Sequence, residues 1–191
     1  MTENTTDASA GKDLRYPVGR YRPPKEISPQ DRAEWIREIE RMPENLRRVV
    51  SGLNDAQLDT PYRPGGWTVR QVVHHLADSH LNSYVRFRWA VTENVPAIKT
   101  YNEADWAELS DARTAPIELS LSLLEGLHAR WVLLVRSFGD EEYARKISHP
   151  EWGEIRVDWL LGLYAWHCRH HVAHISGLRK SQGWSDSEER N

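Results

Sequence analysis

A chain of 191 residues and 22.2 kDa has the length of one domain and can bury about 70% of its unfolded surface, so neither a metal nor a disulfide is required for folding. Its 25 Lys plus Arg against 28 Asp plus Glu give a net charge of −3, which excludes the basic excess of a nucleic-acid binder; no nucleic-acid partner is expected. Cys168 is the one cysteine and closes no internal disulfide, residues 1–13 lack the apolar stretch of a secretion signal, and the longest apolar run, Trp159 to Trp166, is far short of the roughly 20 residues that cross a bilayer; a soluble, cytoplasmic protein without a membrane partner is expected.

The first 14 residues are small and polar and read as a disordered tail, as do residues 185–191, leaving 15–184 as a single domain. The stretch YPVGRYRPPKE carries three prolines and a glycine and predicts chain laid extended over the body of the domain. Ser28 followed by Pro29 supplies an N-cap and a first-turn proline, after which Trp35, Ile39, Met42, Leu46, Val49 and Leu53 recur at helical steps. Pro43 falls inside this first helix and is expected to kink or locally break it.

Thr68 and Gln71 have capping-box spacing, and Val69, Val72, Leu76, Ser83 and Phe87 share one side of a second helix over about 68–93. The connection 94–115 is long for a compact domain and could cover a site. Pro116 opens a third helix whose stripe, Ile117, Leu121, Leu124, Trp131, Val135 and Phe138, includes His128. Residues 147–157 suggest a short hairpin. Asp158 then caps a fourth helix carrying Leu160, Tyr164, His167, His171, His174 and Leu178 on one face, ended by Gly183. Four amphipathic helices with a long second connection predict an all-α four-helix bundle, whose sites form between facing helices.

The nine histidines are unevenly spread: His74, His75 and His80 fall in one seven-residue window, and His167, His170, His171 and His174 in another of eight. On the fourth helix His167 and His171 lie about 40° apart around the axis and can converge on one point, with His170 and His174 in the same arc. Buried imidazoles left without partners cost about 1–3 kcal/mol each, and one divalent cation satisfies several. A third ligand must come from another helix, and helix two offers His74, His75 and His80. Periodicity alone ranks His80 first, with His75 at the flank of the apolar face and His74 pointing away. Arg86 and Arg88 read as a solvated face, with binding of an anionic substrate group as the alternative, the tryptophans as core, and Cys168 as packed rather than nucleophilic.

The segments GGWTVRQVVHHLADSHLNSYVRFRWAV and GLYAWHCRHHVAHI, with LHARW between them, resemble the YfiT-like branch of the DinB superfamily of metal-binding four-helix bundles, over about 15–184. The resemblance implies as metal ligands the histidine before Leu in the helix-two motif and the pair spaced by three in the last helix, here His75, His167 and His171. It agrees with the spacing for the helix-four pair and replaces His80 by His75. His170 and His174 are then expected to orient ligands or form the pocket wall, with His128 and Asp78 as further pocket candidates. Arg169 stands where the family often has another histidine, outside the ligand set.

Three neutral imidazoles leave a divalent ion one or two open positions, the arrangement of catalytic sites. The expected cofactor is one divalent metal per chain, zinc or nickel. The resemblance implies a metal-dependent hydrolase that activates water against a small-molecule substrate. The alternative is a thiol S-transferase, in which a low-molecular-weight thiol of the bacillithiol type attacks an electrophilic toxin or antibiotic; a second alternative is a metal-stabilised module that only binds. Asp78 and Glu93 are not evidently placed as a carboxylate base. The resemblance also suggests a homodimer, and ligand protonation predicts metal loss below about pH 6.

Overall fold

The computed structural model describes residues 13–184, so the two expected tails lie outside the described residues except for Asp13 and Leu14. In chain order the elements are α1 (Pro29–Val50), α2 (Asp55–Leu58), α3 (Val69–Thr92), α4 (Glu103–Ala107), α5 (Ser110–Thr114), α6 (Glu118–Arg136), α7 (Asp140–Ala144), β1 (Lys146–His149), β2 (Gly153–Arg156) and α8 (Val157–Gln182). The four long helices α1, α3, α6 and α8 are the bundle. The expected hairpin exists, with Ile147 opposite Ile155 in antiparallel register. No helix among the described residues is long and apolar enough to cross a membrane.

Both predicted helix starts are reciprocal capping boxes, Ser28 with Asp31 and Thr68 with Gln71, and Gly183 ends α8 in the left-handed region at φ 65. Two expectations fail locally. Pro43 does not break α1, which runs continuously to Val50. Asp158 is not a cap: α8 begins at Val157, and Asp158 is fully buried, its carboxylate paired with Arg156 at 2.6 Å. The buried face of α1 is also turned, with Ile36 and Val50 buried while Trp35 and Val49 are only partly so.

α1 packs chiefly against α6 and α8, and α3 against the same two. The order around the bundle is therefore α1, α6, α3, α8, so the first two long helices face each other diagonally. Its consequence is that α3 and α8, which carry the two histidine windows, are neighbours.

The proline-rich segment before α1 lies against α8, where the Tyr21 hydroxyl donates to the Trp159 carbonyl and the Trp166 indole donates to the Gly19 carbonyl. Gly162 permits this approach: a Cβ there would overlap the Tyr21 hydroxyl and stand 2.8 Å from the Trp35 ring. Gly162→Ala is expected to cost about 1–3 kcal/mol through overpacking, lowering Tm by roughly 3–10 °C in a scan against the parent protein. The connection after α3 turns at Val95, whose φ of 44 is unusual for a β-branched residue. It is then pinned to the hairpin, with Ile98 N–H donating to Ser148 O at 3.1 Å and Ser148 N–H to Pro96 O at 2.9 Å.

Candidate metal centre

Between α3 and α8 the bundle opens into a cavity of about 1120 Å³. His75 from α3 and His167 and His171 from α8 lie on its wall, and each offers a ring nitrogen within 4.8 Å of those of the other two. The helical spacing explains the α8 pair: four residues bring the rings to 4.5 Å between centroids. The capping box at Thr68 fixes where α3 starts, and His75, two turns on, meets the pair at 4.9 Å from the His171 ring and 5.4 Å from that of His167. Trp67 packs on His75 with centroids 4.6 Å apart and closes that side.

The donor set fits a divalent ion. His75 Nε2 faces His167 Nε2 at 3.3 Å, close to the separation of about 3.3–3.4 Å expected for two nitrogens each about 2.0–2.1 Å from one tetrahedral zinc. His171 Nδ1 is buried without a hydrogen-bond partner, as are Nδ1 of His170 and of His174. Burial holds these rings neutral, as coordination requires. The pKa of His75 is pushed down to about 4 by burial, and those of His167 and His171 fall well below the ordinary histidine value, by burial first and by neighbouring imidazoles second.

His170 and His174 line the same cavity and form with His171 a second trio of ring nitrogens within 4.8 Å of one another. Each has an aromatic backing: His170 stacks on Trp166 at 4.4 Å and His174 on Tyr62 at 4.0 Å. His174 Nε2 also faces the Arg15 carbonyl at 3.3 Å. His80, ranked first by periodicity, is fully buried behind the site, with its Nε2 3.0 Å from His167 Nδ1. His128 is buried among core residues, does not reach the cavity, and touches His80. His74 is buried too, against Ser120 Oγ at 2.7 Å, because α3 is covered on that side by α5 and α6.

Asp78 is half-buried and stands off the cavity wall; burial first and Asp111 second push its carboxyl up to about 6. The carboxylates that do line the cavity, Glu103 and Glu151, come from the α4 connection and the hairpin turn. Cys168 is buried, and burial pushes its thiol up, away from nucleophilic range.

Two further residues, which the sequence places only loosely, belong to the cavity wall. Arg86 is buried on the cavity wall instead of solvated, donating to the Lys99 carbonyl at 3.3 Å. Eleven residues after His75, it falls nearly under it on the same helical face, a spacing that could have shown it. Tyr101, in the 94–115 connection, lines the cavity with its hydroxyl buried, as that connection's length suggested.

The family model of the DinB superfamily matches residues 38–175. A Bacillus subtilis protein named "Putative metal-dependent hydrolase YfiT" is 50% identical over 174 residues, covering 91% of this chain and 98% of its own. A Bacillus cereus protein named "Putative metal-dependent hydrolase" is 51% identical over 172 residues, covering 90% of this chain and 99% of its own. Among solved structures, Bacillus subtilis YfiT, described as "a probable metal-dependent hydrolase with an unusual four-helix bundle topology", superposes with a TM-score of 0.88 at 50% identity over 90% of this chain and 99% of that one. TT2238, at 21% identity and a TM-score of 0.52 over 81% of this chain and 99% of its own, shares the four-helix bundle fold.

Proposed function

This chain belongs to the DinB superfamily, and from that premise we propose that it is a metal-dependent hydrolase in which His75, His167 and His171 hold one divalent cation, zinc or nickel. The observation that carries the reading is the trio of neutral imidazoles from two neighbouring helices on the wall of a cavity large enough for a small molecule. When bound there, the ion supplies Lewis acidity that brings a water or a thiol into nucleophilic range near neutral pH. Trp67 and the stacked pair of Tyr62 and His174 limit solvent on one side of the trio. Arg86 and Tyr101 supply donors on the cavity wall to a polar substrate group.

The test is to purify the protein without an affinity tag, measure metal per chain, and offer esters and amides without thiol. One equivalent of metal together with turnover supports the reading; an inert, metal-loaded protein overturns it.

One observation favours a second reading, thiol transfer: the candidate ligand cluster contains histidines alone, and the carboxylates on the cavity wall, Glu103 and Glu151, join no such cluster among the described residues that would mark one as a general base. A thiolate needs no such base once formed. Offered a haloalkane together with a low-molecular-weight thiol, an enzyme of this kind forms a carbon–sulfur bond and releases halide. Thioether formation without any ester or amide turnover would select this reading over hydrolysis.

A further inference from the structure

Behind the candidate centre a row of polar contacts runs from α8 through α3 and α6 to α1. His167 Nδ1 lies 3.0 Å from His80 Nε2, His80 Nδ1 lies 2.8 Å from His128 Nε2, and His128 Nδ1 lies 2.6 Å from the Ile39 carbonyl oxygen. The row ends at Ile39 for a reason written in the sequence. In an α-helix the Ile39 carbonyl would accept from the N–H four residues further on. That residue is Pro43, which has no N–H to give, yet α1 continues through it. Ile39 is fully buried, so its carbonyl must find another donor, and His128 is the side chain that meets it.

A carbonyl can only accept, so Nδ1 of His128 carries the hydrogen. The rings sit among Trp131, Phe87 and Tyr164, where a charged imidazole would be costly. A neutral imidazole has one N–H, so His128 Nε2 accepts and His80 Nδ1 donates to it. By the same step His80 Nε2 accepts and His167 Nδ1 donates. The opposite order would set a lone pair of His128 against the Ile39 oxygen. His167 is left with a bare Nε2, the atom that faces His75 across the candidate centre.

We propose that Pro43, His128 and His80 set the proton order of His167: the carbonyl freed by Pro43 orients His128, His128 orients His80, and His80 holds His167 protonated at Nδ1 with its Nε2 lone pair turned to the cation. The inference rests on His167 being a ligand. His80 and His128 are positioning residues that touch neither ion nor substrate. The proposal also gives a single role to a proline inside a long helix and to two histidines deep in an apolar core, features that the metal trio leaves unexplained.

The test uses the full-length, metal-free protein with nitrogen-15-labelled histidine, whose long-range proton–nitrogen correlations read the tautomer of each ring. His128, His80 and His167 are all expected as the Nδ1–H form. In His128→Leu the acceptor for His80 is gone, so His167 is expected to lose its fixed tautomer and zinc binding to weaken about 10- to 100-fold, the range seen when such outer partners are removed. His128→Gln can accept from His80 and donate to Ile39, and is expected to restore both the tautomer and the affinity; it also serves if the leucine variant fails to fold. Pro43→Ala returns a competing N–H to Ile39 and is expected to weaken zinc binding severalfold without lowering Tm, which loss of packing alone would not produce. An Nε2–H form of His167 in the parent protein, or parental zinc affinity in both His128→Leu and Pro43→Ala, overturns the proposal. Intact proton order in a parent protein that takes up no zinc would instead mark a failure of the ligand assignment.

Discussion

His167→Ala is expected to abolish stoichiometric metal uptake, with zinc affinity falling on the order of 1000-fold, and His75→Ala and His171→Ala are expected to behave alike. Removal of a partner outside the ligand set usually costs about 10–100-fold, and deletion of a ligand should exceed that. His167 has the most to lose, because its ring stands between His75 Nε2 at 3.3 Å and His80 Nε2 at 3.0 Å, so the alanine also strands a buried nitrogen of His80. His170→Ala provides the contrast. His170 stacks on Trp166 and lines the cavity outside the proposed trio, so its loss should change affinity by less than about 10-fold. Titration calorimetry with zinc, paired with metal analysis after dialysis, separates the two groups. The reverse pattern, with His170 and His174 essential and His75 dispensable, would move the cation to the second trio, which shares His171.

The parts of this molecule that local chemistry dictates were readable from the chain. The caps at Ser28 and Thr68, the left-handed stop at Gly183 and the hairpin before α8 follow from residue type and spacing. So does the convergence of His167 with His171, since four residues return a helix to nearly the same face. What the spacing could not supply was the arrangement of the helices. His80 is nearer the middle of the apolar stripe of α3 than His75, and on a single helix that ranks it first. Because α3 lies between α6 and α8, the middle of the stripe points to His128 in the core, and the flank faces α8 and the cavity. On a single helix Arg86 reads as solvated for the same reason, as it shares that flank with His75. The motif resemblance selected His75 where periodicity did not. Pro43 illustrates the converse: its local penalty was legible, but a buried donor from α6, His128, meets the carbonyl that the proline leaves free, and the helix stays whole.

Metal-free protein is expected to unfold on acidification with a midpoint near pH 5. Burial holds His75, His128 and His174 at about 4 and His170 at about 3, and it places His80, His167 and His171 well below the usual histidine value. In the unfolded chain all seven return to about 6.5, so the unfolded state binds more protons throughout the interval between. Stability is therefore complete above about pH 6.5, falls as pH drops towards 4, and stops falling once the folded state protonates as well. At pH 5 each imidazole held at about 3–4 costs up to about 2 kcal/mol relative to its unfolded counterpart, and the four together up to about 8 kcal/mol, a large share of the roughly 5–15 kcal/mol that holds a whole domain together; His80, His167 and His171 act in the same direction. Circular dichroism against pH in the presence of a chelator should show a steep transition accompanied by uptake of several protons. Zinc in excess should move that transition to lower pH, since the ion binds the folded state alone. The burial also alters the expectation that metal departs below about pH 6: ligands that resist protonation while folded should retain the ion until the bundle opens, so metal release and loss of helix should coincide. Release well above the unfolding transition, or a metal-free protein still folded at pH 4, would show that these imidazoles are protonated within the native state.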